Sequence, residues 1–146
     1  MMEIEALQYK GFRNLKDDNG NVTGFQVGIR FVAYRGPWLS QFRFGFVEVD
    51  GEKYGPDVCT FLIRGIEYTY DEILKPESWR VKVLTSEPIY IHVKKPGGLS
   101  MGTHHVFVLF SEIASYIPER MDDINNEMNI SRHKNDPAFT RDMIIV

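Results

Sequence analysis

The stretch Gly24–Gly36, GFQVGIRFVAYRG, carries the clearest pattern in this chain of 146 residues. Its apolar residues recur at every second position and alternate with Gln26, Gly28, Arg30, Val32 and Tyr34. The recurring residues are Phe25, Val27, Ile29, Phe31 and Ala33. Because successive side chains of a strand point to opposite faces, this period of two predicts a β-strand with one face in the core.

Similar strand-like runs recur along the chain. In QFRFGFVEVDGE, the residues Phe42, Phe44 and Phe46 are predicted to face one way, ahead of a turn at Asp50-Gly51. Further runs cover Val58–Ile63, Ile66–Tyr70, Val81–Val83, Ile89–Val93 and Val106–Phe110, with Gly- and Pro-containing turn signals between them. This spacing is typical of a sandwich or barrel, and we predict an all-β fold, an antiparallel β-sandwich. The predicted core includes Phe25, Val27, Ile29, Phe31, Phe44 and Phe46.

The character of the sequence changes at Pro118, which suggests a β-sandwich domain over residues 1–117 and a C-terminal extension over residues 118–146. Met121, Ile124 and Met128 have helical spacing, and Pro118 suits the first position of a helix. The extension therefore has the pattern of one short helix. Its apolar end, Met143–Val146, is expected to dock either on the same chain or on a partner chain.

Composition narrows the class of protein. Hydrophobic residues make up 43% of the chain and charged residues 25%, which is typical of a globular domain. A net charge of −3 gives no electrostatic reason to expect nucleic-acid binding. Cys59 is the single cysteine, the N-terminus lacks a signal-peptide pattern, and no apolar run approaches the ~20 residues of a membrane span. We expect a cytoplasmic protein that does not insert into a membrane.

The stretch Lys94–His105, KKPGGLSMGTHH, contains several glycines and two histidines. A phosphate-binding loop would lead into a helix, whereas a strand-like run follows here. The residues Pro96, Gly97, Gly98 and Gly102 are therefore predicted to form a structural turn.

The polar and nucleophilic residues do not form a recognisable catalytic pattern. His104 and His105 are predicted to point to opposite faces of a strand, so they cannot grip one ion together. His92 is predicted to face solvent or an interface, and His133 lies in the tail. Cys59 sits among apolar neighbours, which favours a buried and unreactive thiol. Asp71-Glu72 fits a turn or a helix start better than a catalytic pair. We predict no catalytic residue and no metal site in this chain.

The loop Tyr34, Arg35, Gly36, Pro37 and Trp38 has two interpretations. Trp, Tyr and Arg are enriched in binding hot spots, and Gly36-Pro37 restricts the backbone between them. Alternatively, Trp38 folds back as a lid on the core. Tyr90 and Trp79 could serve as binding residues with weaker reason.

Several segments, taken in order, resemble the small β subunit of bacterial C-glycoside deglycosidases, a former domain-of-unknown-function family. They cover most of the chain between Gly11 and Pro118, and each is a turn or strand pattern. The segments are GFRN (Gly11–Asn14), VTGFQ (Val22–Gln26), YRGPWLS (Tyr34–Ser40), VDGE (Val49–Glu52), YT with DE (Tyr68–Glu72), KPGGL (Lys95–Leu99), GTH (Gly102–His104) and SYIP (Ser115–Pro118). No segment is diagnostic alone, so the resemblance rests on their order and spacing. The tail after Pro118 lies outside it.

This resemblance implies a β-sandwich subunit that binds a larger α subunit within a higher hetero-oligomer. The α subunit would be a sugar-isomerase-like TIM barrel with a divalent metal, manganese. The complex would cleave the carbon–carbon bond between a sugar, usually already oxidised to a keto sugar, and an aromatic aglycone such as a flavonoid. The base and the metal ligands would belong to the α subunit, so the isolated chain is expected to bind no cofactor and to be inactive.

The resemblance also suggests a place for the loop Tyr34–Trp38, which we expect at the α-subunit interface or at the mouth of its active site. Two other classes of function remain open. One is a carbohydrate-binding module that uses Tyr34, Trp38 and Tyr90 as stacking residues. The other is a pure scaffold that stabilises its partner without touching substrate.

Overall fold

The computed structural model describes residues 6–31, 38–75, 81, 83, 87–112, 125 and 127–145. The strands are β1 (Leu7–Lys16), β2 (Val22–Ile29), β3 (Phe42–Val49), β4 (Glu52–Tyr54), β5 (Cys59–Ile63), β6 (Ile66–Thr69), β7 (Ile89–Lys94), β8 (Gly102–Glu112) and β9 (Thr140–Ile145). The helices are α1 (Tyr70–Leu74) and α2 (Glu127–Lys134), with short 3-10 turns at Leu39–Gln41 and Pro56–Val58. No helix in these described ranges is long and apolar enough to cross a membrane.

The strands form two antiparallel sheets that pack face to face. One has five strands in the order β1-β2-β7-β5-β6, and the other has four in the order β4-β3-β8-β9. Aromatic rings meet between the sheets: Phe44 lies 5.0 Å from Phe61 between ring centroids, and Phe25 lies 5.3 Å from Tyr54. The predicted all-β sandwich with a short C-terminal helix is therefore confirmed.

Two hairpins have the turn chemistry that their sequences indicate. At Asp50-Gly51, between β3 and β4, the φ angles are 52° and 89°. At Arg64-Gly65, between β5 and β6, they are 49° and 81°. Positive φ at both central residues is the geometry of a type I′ turn, which matches the twist of the flanking strands and suits glycine.

Two predicted strands differ from the structure. β2 ends at Ile29, although the Arg30 N–H still donates to the carbonyl of Ala6 at 2.8 Å, in register with the β1–β2 pairing. Phe31 is buried as predicted but lies outside the strand, and Val32 and Ala33 are outside the described residues. The strand prediction at Val81–Val83 is wrong, because neither of its two described residues, Val81 and Val83, lies in a strand. Val83 is nevertheless fully buried.

The prediction that Phe46 faces the same way as Phe44 is also wrong. A register shift between these two residues pairs Phe44 with Phe110 but Phe46 with Leu109, so the two rings point to opposite faces. Such a bulge inserts one residue and reverses the alternation. The inserted residue is Gly45, where an added Cβ would lie 2.6 Å from Leu109 Cδ2. Phe46 is still buried, but in contact with Phe107 on the outer side of the four-stranded sheet.

The C-terminal segment docks on its own chain. β9 pairs with β8, and its alternation buries Met143 and Ile145 while Ile144 stays 59% exposed. Within the helix pattern, Met121 and Ile124 lie outside the described residues, and Met128 is exposed. Pro118 and the boundary drawn between residues 117 and 118 also lie outside them.

Helix α2 lies against the outer side of the four-stranded sheet. Its Lys134 ammonium sits 5.8 Å from the centre of the Phe107 ring and 3.5 Å from the Glu48 carboxylate. Phe107 and Leu109 on this side are almost fully buried. The run Val106–Phe110 is therefore apolar at every position because both of its faces are covered.

Candidate functional site

The outer side of the five-stranded sheet carries a polar surface that we call the polar face. It is formed by Arg13 on β1, Gln26 on β2, Thr60 and Leu62 on β5, Glu67 on β6, and Tyr90 and His92 on β7. The sheet register places Gln26 opposite His92, and His92 opposite Thr60. The alternate residues of these strands, such as Phe25, Phe61 and Ile91, fill the core, so strand geometry turns the polar set outward.

A hydrogen-bonded chain crosses this polar face. Gln26 is only 5% exposed, and its Nε2 donates to the carbonyl of Gly11 at 2.8 Å. Its Oε1 lies 2.9 Å from His92 Nε2, which must therefore be the donor in that bond. On the other side of the ring, His92 Nδ1 is 3.9 Å from Glu67 Oε1, and this carboxylate accepts a hydrogen bond from the Thr60 hydroxyl.

Burial of the ring favours the neutral form of His92. Burial of the ring is the largest cause that lowers the pKa of His92 below its ordinary value, and the positive charge of Arg13 lowers it further. The Glu67 carboxylate acts in the opposite direction. A neutral His92 that donates through Nε2 retains a lone pair on Nδ1, which can accept a hydrogen bond from an incoming group.

Tyr90 is held in place on this surface by two glycines. Gly11 adopts φ +85°, and a Cβ at that position would lie 2.8 Å from Tyr90 Cε1. A Cβ at Gly28, the partner of Tyr90 across the sheet, would lie 3.3 Å from the same atom. The ring thus rests against glycine backbone, beside a shallow cavity of about 370 Å³ whose lining is Lys10, Gly11, Arg13, Gln26, Leu62 and Tyr90.

His104 belongs to a separate, structural cluster at the end of β8. Its Nδ1 lies 2.6 Å from Asp50 Oδ2, and its Nε2 lies 2.7 Å from the carbonyl of Ser100. Because both partners are acceptors, both ring nitrogens donate and the ring is an imidazolium. The bond to the Ser100 carbonyl is the largest cause that raises the pKa of His104, and the bond to His104 is the largest cause that lowers the pKa of Asp50.

His104 and His105 point to opposite faces of β8, as the sequence predicts. His104 is 7% exposed, whereas the His105 side chain is largely exposed and bonds to Asp142 on β9 at 2.7 Å. Within the described part of the chain, no three His, Cys, Asp or Glu side chains lie close enough together to hold a metal ion.

The residues Pro96, Gly97 and Gly98 lie in the connection between β7 and β8, and Gly102 is the first residue of β8. All three glycines have positive φ, and the Gly97 N–H donates to the Val22 carbonyl at 3.0 Å. At Gly98 a Cβ would lie only 2.5 Å from Asn14 Oδ1. The Asn14 amide exchanges two hydrogen bonds with the backbone of Leu99, at 2.8 and 2.9 Å. This connection is therefore pinned to β1 and β2.

Most of the loop predicted as an interface lies outside the described residues. Tyr34, Arg35, Gly36 and Pro37 lie outside the described residues, as does Trp79. Trp38 is described and is 41% exposed, while its neighbour Leu39 is fully buried. In this segment, Leu39 rather than Trp38 fills the core.

The other residues considered as possible site residues from the sequence take part in packing or helix capping. Cys59 is buried, and burial is the main cause that raises the pKa of its thiol to about 12. Asp71 and Glu72 lie in the first turn of α1, where Glu72 and Thr69 form a capping box. The His133 ring packs edge-on against Phe139, with centroids 4.5 Å apart.

Sequence reasoning did not single out Gln26, Gly11 or Arg13. The signal available was that Gln26 and Gly28 occupy the outward positions of a strongly patterned strand. The role of each residue depends on the strand register, which places Gly28 beside Tyr90 and Gln26 beside His92. This register cannot be deduced from one sequence.

The family comparison covers most of the chain. Residues 2–116 match the family described as "C-glycoside deglycosidase beta subunit". A protein of Eubacterium cellulosolvens with that same name is 40% identical over 122 residues, which are 84% of this chain and 82% of that protein. The matched range includes β1 to β8 and therefore the whole polar face. The resemblance seen in the order of the turn and strand segments is confirmed, and the chain belongs to the C-glycoside deglycosidase β-subunit family.

Proposed function

We propose that this chain is the β subunit of a heteromeric C-glycoside deglycosidase that acts as a carbon–carbon lyase. The observation that carries the proposal is the family match over residues 2–116, joined to 40% identity with a relative named as a β subunit. A β subunit requires at least one further subunit. The α subunit of the proposed complex is a sugar-isomerase-like TIM barrel that holds a divalent metal, manganese.

The proposed reaction is an elimination from a C-glucoside whose sugar carries a 3-keto group. The keto group acidifies the C–H at the neighbouring sugar carbon C2, and a base of the α subunit removes that proton. The metal supplies charge stabilisation for the enolate. The carbon–carbon bond at C1 then breaks, its electron pair stays with the aromatic carbon, and that carbon takes up a proton. The products are the free aglycone and an unsaturated keto sugar, without consumption of water.

In this proposal the β subunit supports or completes the α subunit. We also propose that the segment around Trp38 lies at the α-subunit interface, near the mouth of the active site. The 41% exposure of this large aromatic side chain supports an interface role more than a role as a core lid.

The proposal is tested by producing the chain alone, the α subunit alone, and both together. We expect a stable complex and, with Mn²⁺, release of a flavonoid aglycone from its 3-keto C-glucoside only when both subunits are present. Full activity of the α subunit alone, or failure of the two chains to co-purify, would contradict the proposed role.

A mass balance tests the reaction class with the same complex. In water enriched in ¹⁸O, an elimination gives two products whose masses add up to that of the substrate, with no ¹⁸O gained in the bond-breaking step. Hydrolysis would add one water oxygen to the product pair. Because an unsaturated keto sugar can add water later, the aglycone and sugar must be analysed at short reaction times.

A further inference from the structure

The ring of Tyr90 has the properties of a pre-organised binding residue. It is partly exposed on the polar face, and the glycines Gly11 and Gly28 allow it to lie against the backbone. A side chain that is already fixed loses little conformational freedom when another molecule packs on it. Tyrosine and arginine are also the residue types enriched in interface hot spots, and Arg13 lines the same cavity.

The two cationic side chains at this cavity have no carboxylate partner in the part of the chain that the structure describes. Elsewhere basic side chains meet carboxylates, as with Arg64 and Glu87 at 2.8 Å or Lys134 and Glu48 at 3.5 Å. Lys10 and Arg13 line one cavity, and neither forms an ion pair with any residue in the described ranges. Two cations on one rim fit a carboxylate, which an arginine fork can bind with two hydrogen bonds.

The shape of the cavity favours a protein partner over a small ligand. It is shallow and open, whereas pockets for small molecules enclose most of the ligand surface. In contrast to α2 on the other sheet, the helix that contacts this sheet, α1, places its Tyr70 on the core side, against Phe44 and Phe61. A fixed aromatic residue surrounded by polar and charged groups matches the usual arrangement of a protein interface.

From these observations we infer that the polar face is the surface on which the α subunit docks. Tyr90 is the central anchor, and a carboxylate of the α subunit binds between Lys10 and Arg13. This inference rests on the proposed function, because that function supplies the partner.

The test measures the dissociation constant between the purified α subunit and variants of this chain. We expect Arg13→Glu, and more strongly Lys10→Glu combined with Arg13→Glu, to weaken association by about tenfold or more at about 50 mM salt. The loss should shrink as the salt concentration rises. Tyr90→Ala should weaken association about thirtyfold, whereas Tyr90→Phe keeps the ring and should lose less.

Lys53→Glu is the matched control, because Lys53 is an exposed lysine on β4 of the opposite sheet. It makes the same charge change and should leave the dissociation constant within about twofold of the parent chain. Lys10 and Arg13 are exposed, so their variants should keep the melting temperature of the isolated chain, which separates lost docking from lost folding.

The outcomes distinguish the inference from the proposed function. If the parent chain forms an active complex but the Arg13 and Tyr90 variants bind as tightly as Lys53→Glu, the docking inference is overturned and the proposed function stands. If the variants keep their affinity for the α subunit but raise the KM for the C-glycoside, the cavity binds substrate and the inference is equally overturned. If the parent chain does not bind the α subunit, both fail.

Discussion

The outer faces of the two sheets have opposite characters. On the four-stranded sheet, Phe46, Phe107 and Leu109 point outward and are buried, with α2 lying against this side. On the five-stranded sheet, the outward positions are a hydrogen-bonded polar set around Gln26 and His92. Both sheets use their inner faces for the same core. The first outer face is closed by the chain itself, and the second has no cover within the described ranges.

The difference explains why the two faces need different residues. An apolar outer face would be a liability unless the same chain covers it, because exposed apolar patches promote association. A polar outer face can meet water in the free subunit and still exchange those contacts for a partner's groups. The covered face therefore contributes to the stability of the chain, while the polar face is available for recognition.

The largest expected effect is on the covered face. Leu109 and Leu62 are outward leucines on opposite sheets, but Leu109 is fully buried and Leu62 is partly exposed. Leu109→Ala should lower the free energy of unfolding by about 3 kcal/mol, because it leaves a cavity. Leu62→Ala should lower it by at most about 1 kcal/mol. Urea denaturation of the purified chain measures both free energies of unfolding. Equal losses for the two variants would contradict the claim that only the outer face of the four-stranded sheet is covered.

The second prediction asks whether the recognition surface includes Trp38. If Trp38 is an interface anchor, Trp38→Ala should weaken association with the α subunit by about 2 kcal/mol or more, while the melting temperature of the isolated chain barely moves. Leu39→Ala is the contrasting variant, since the fully buried Leu39 should lose stability instead. Unchanged affinity together with a large drop in the melting temperature of Trp38→Ala would assign the residue to the core.

The third prediction compares how the stability contributions of His104 and His92 depend on pH. Relative to its ordinary value of 6.5, the pKa of His104 is raised, chiefly by the bond to Ser100, and that of His92 is lowered, chiefly by burial. His104 therefore contributes stability that is fully present below pH 6.5 and lost as the pH rises through the raised pKa. The contribution of His92 is present above pH 6.5 and lost as the pH falls towards the lowered pKa.

Unfolding of the parent chain, His104→Ala and His92→Ala between about pH 5.5 and about pH 8.5 measures this contrast. The His104 variant should lose about 2 kcal/mol at the acidic end and less at the basic end, because two hydrogen bonds to a charged ring are removed. The difference between the parent chain and the His92 variant should change with pH in the opposite direction. The same direction for both histidines would contradict the assigned protonation states.

The sequence alone determined the features that depend on local pattern. Period-two apolar runs fixed the all-β class, and the outward position of His92, the burial of Cys59 and the opposite faces of His104 and His105 followed from strand geometry and apolar neighbours. The turn at Asp50-Gly51 followed from an Asp-Gly pair directly after a strand-like run. The order of the turn segments was enough to suggest the family.

Tertiary structure decided everything that depends on which strands are neighbours. The bulge at Gly45 turned Phe46 to the other face, and the pairing of β9 with β8 gave the apolar C-terminus its place. Likewise, Gln26 became a buried link only because the fold sets it between the Gly11 carbonyl and His92. These contacts join residues far apart in the chain, and the strand register that creates them is fixed by the packing of the whole sandwich rather than by any single segment.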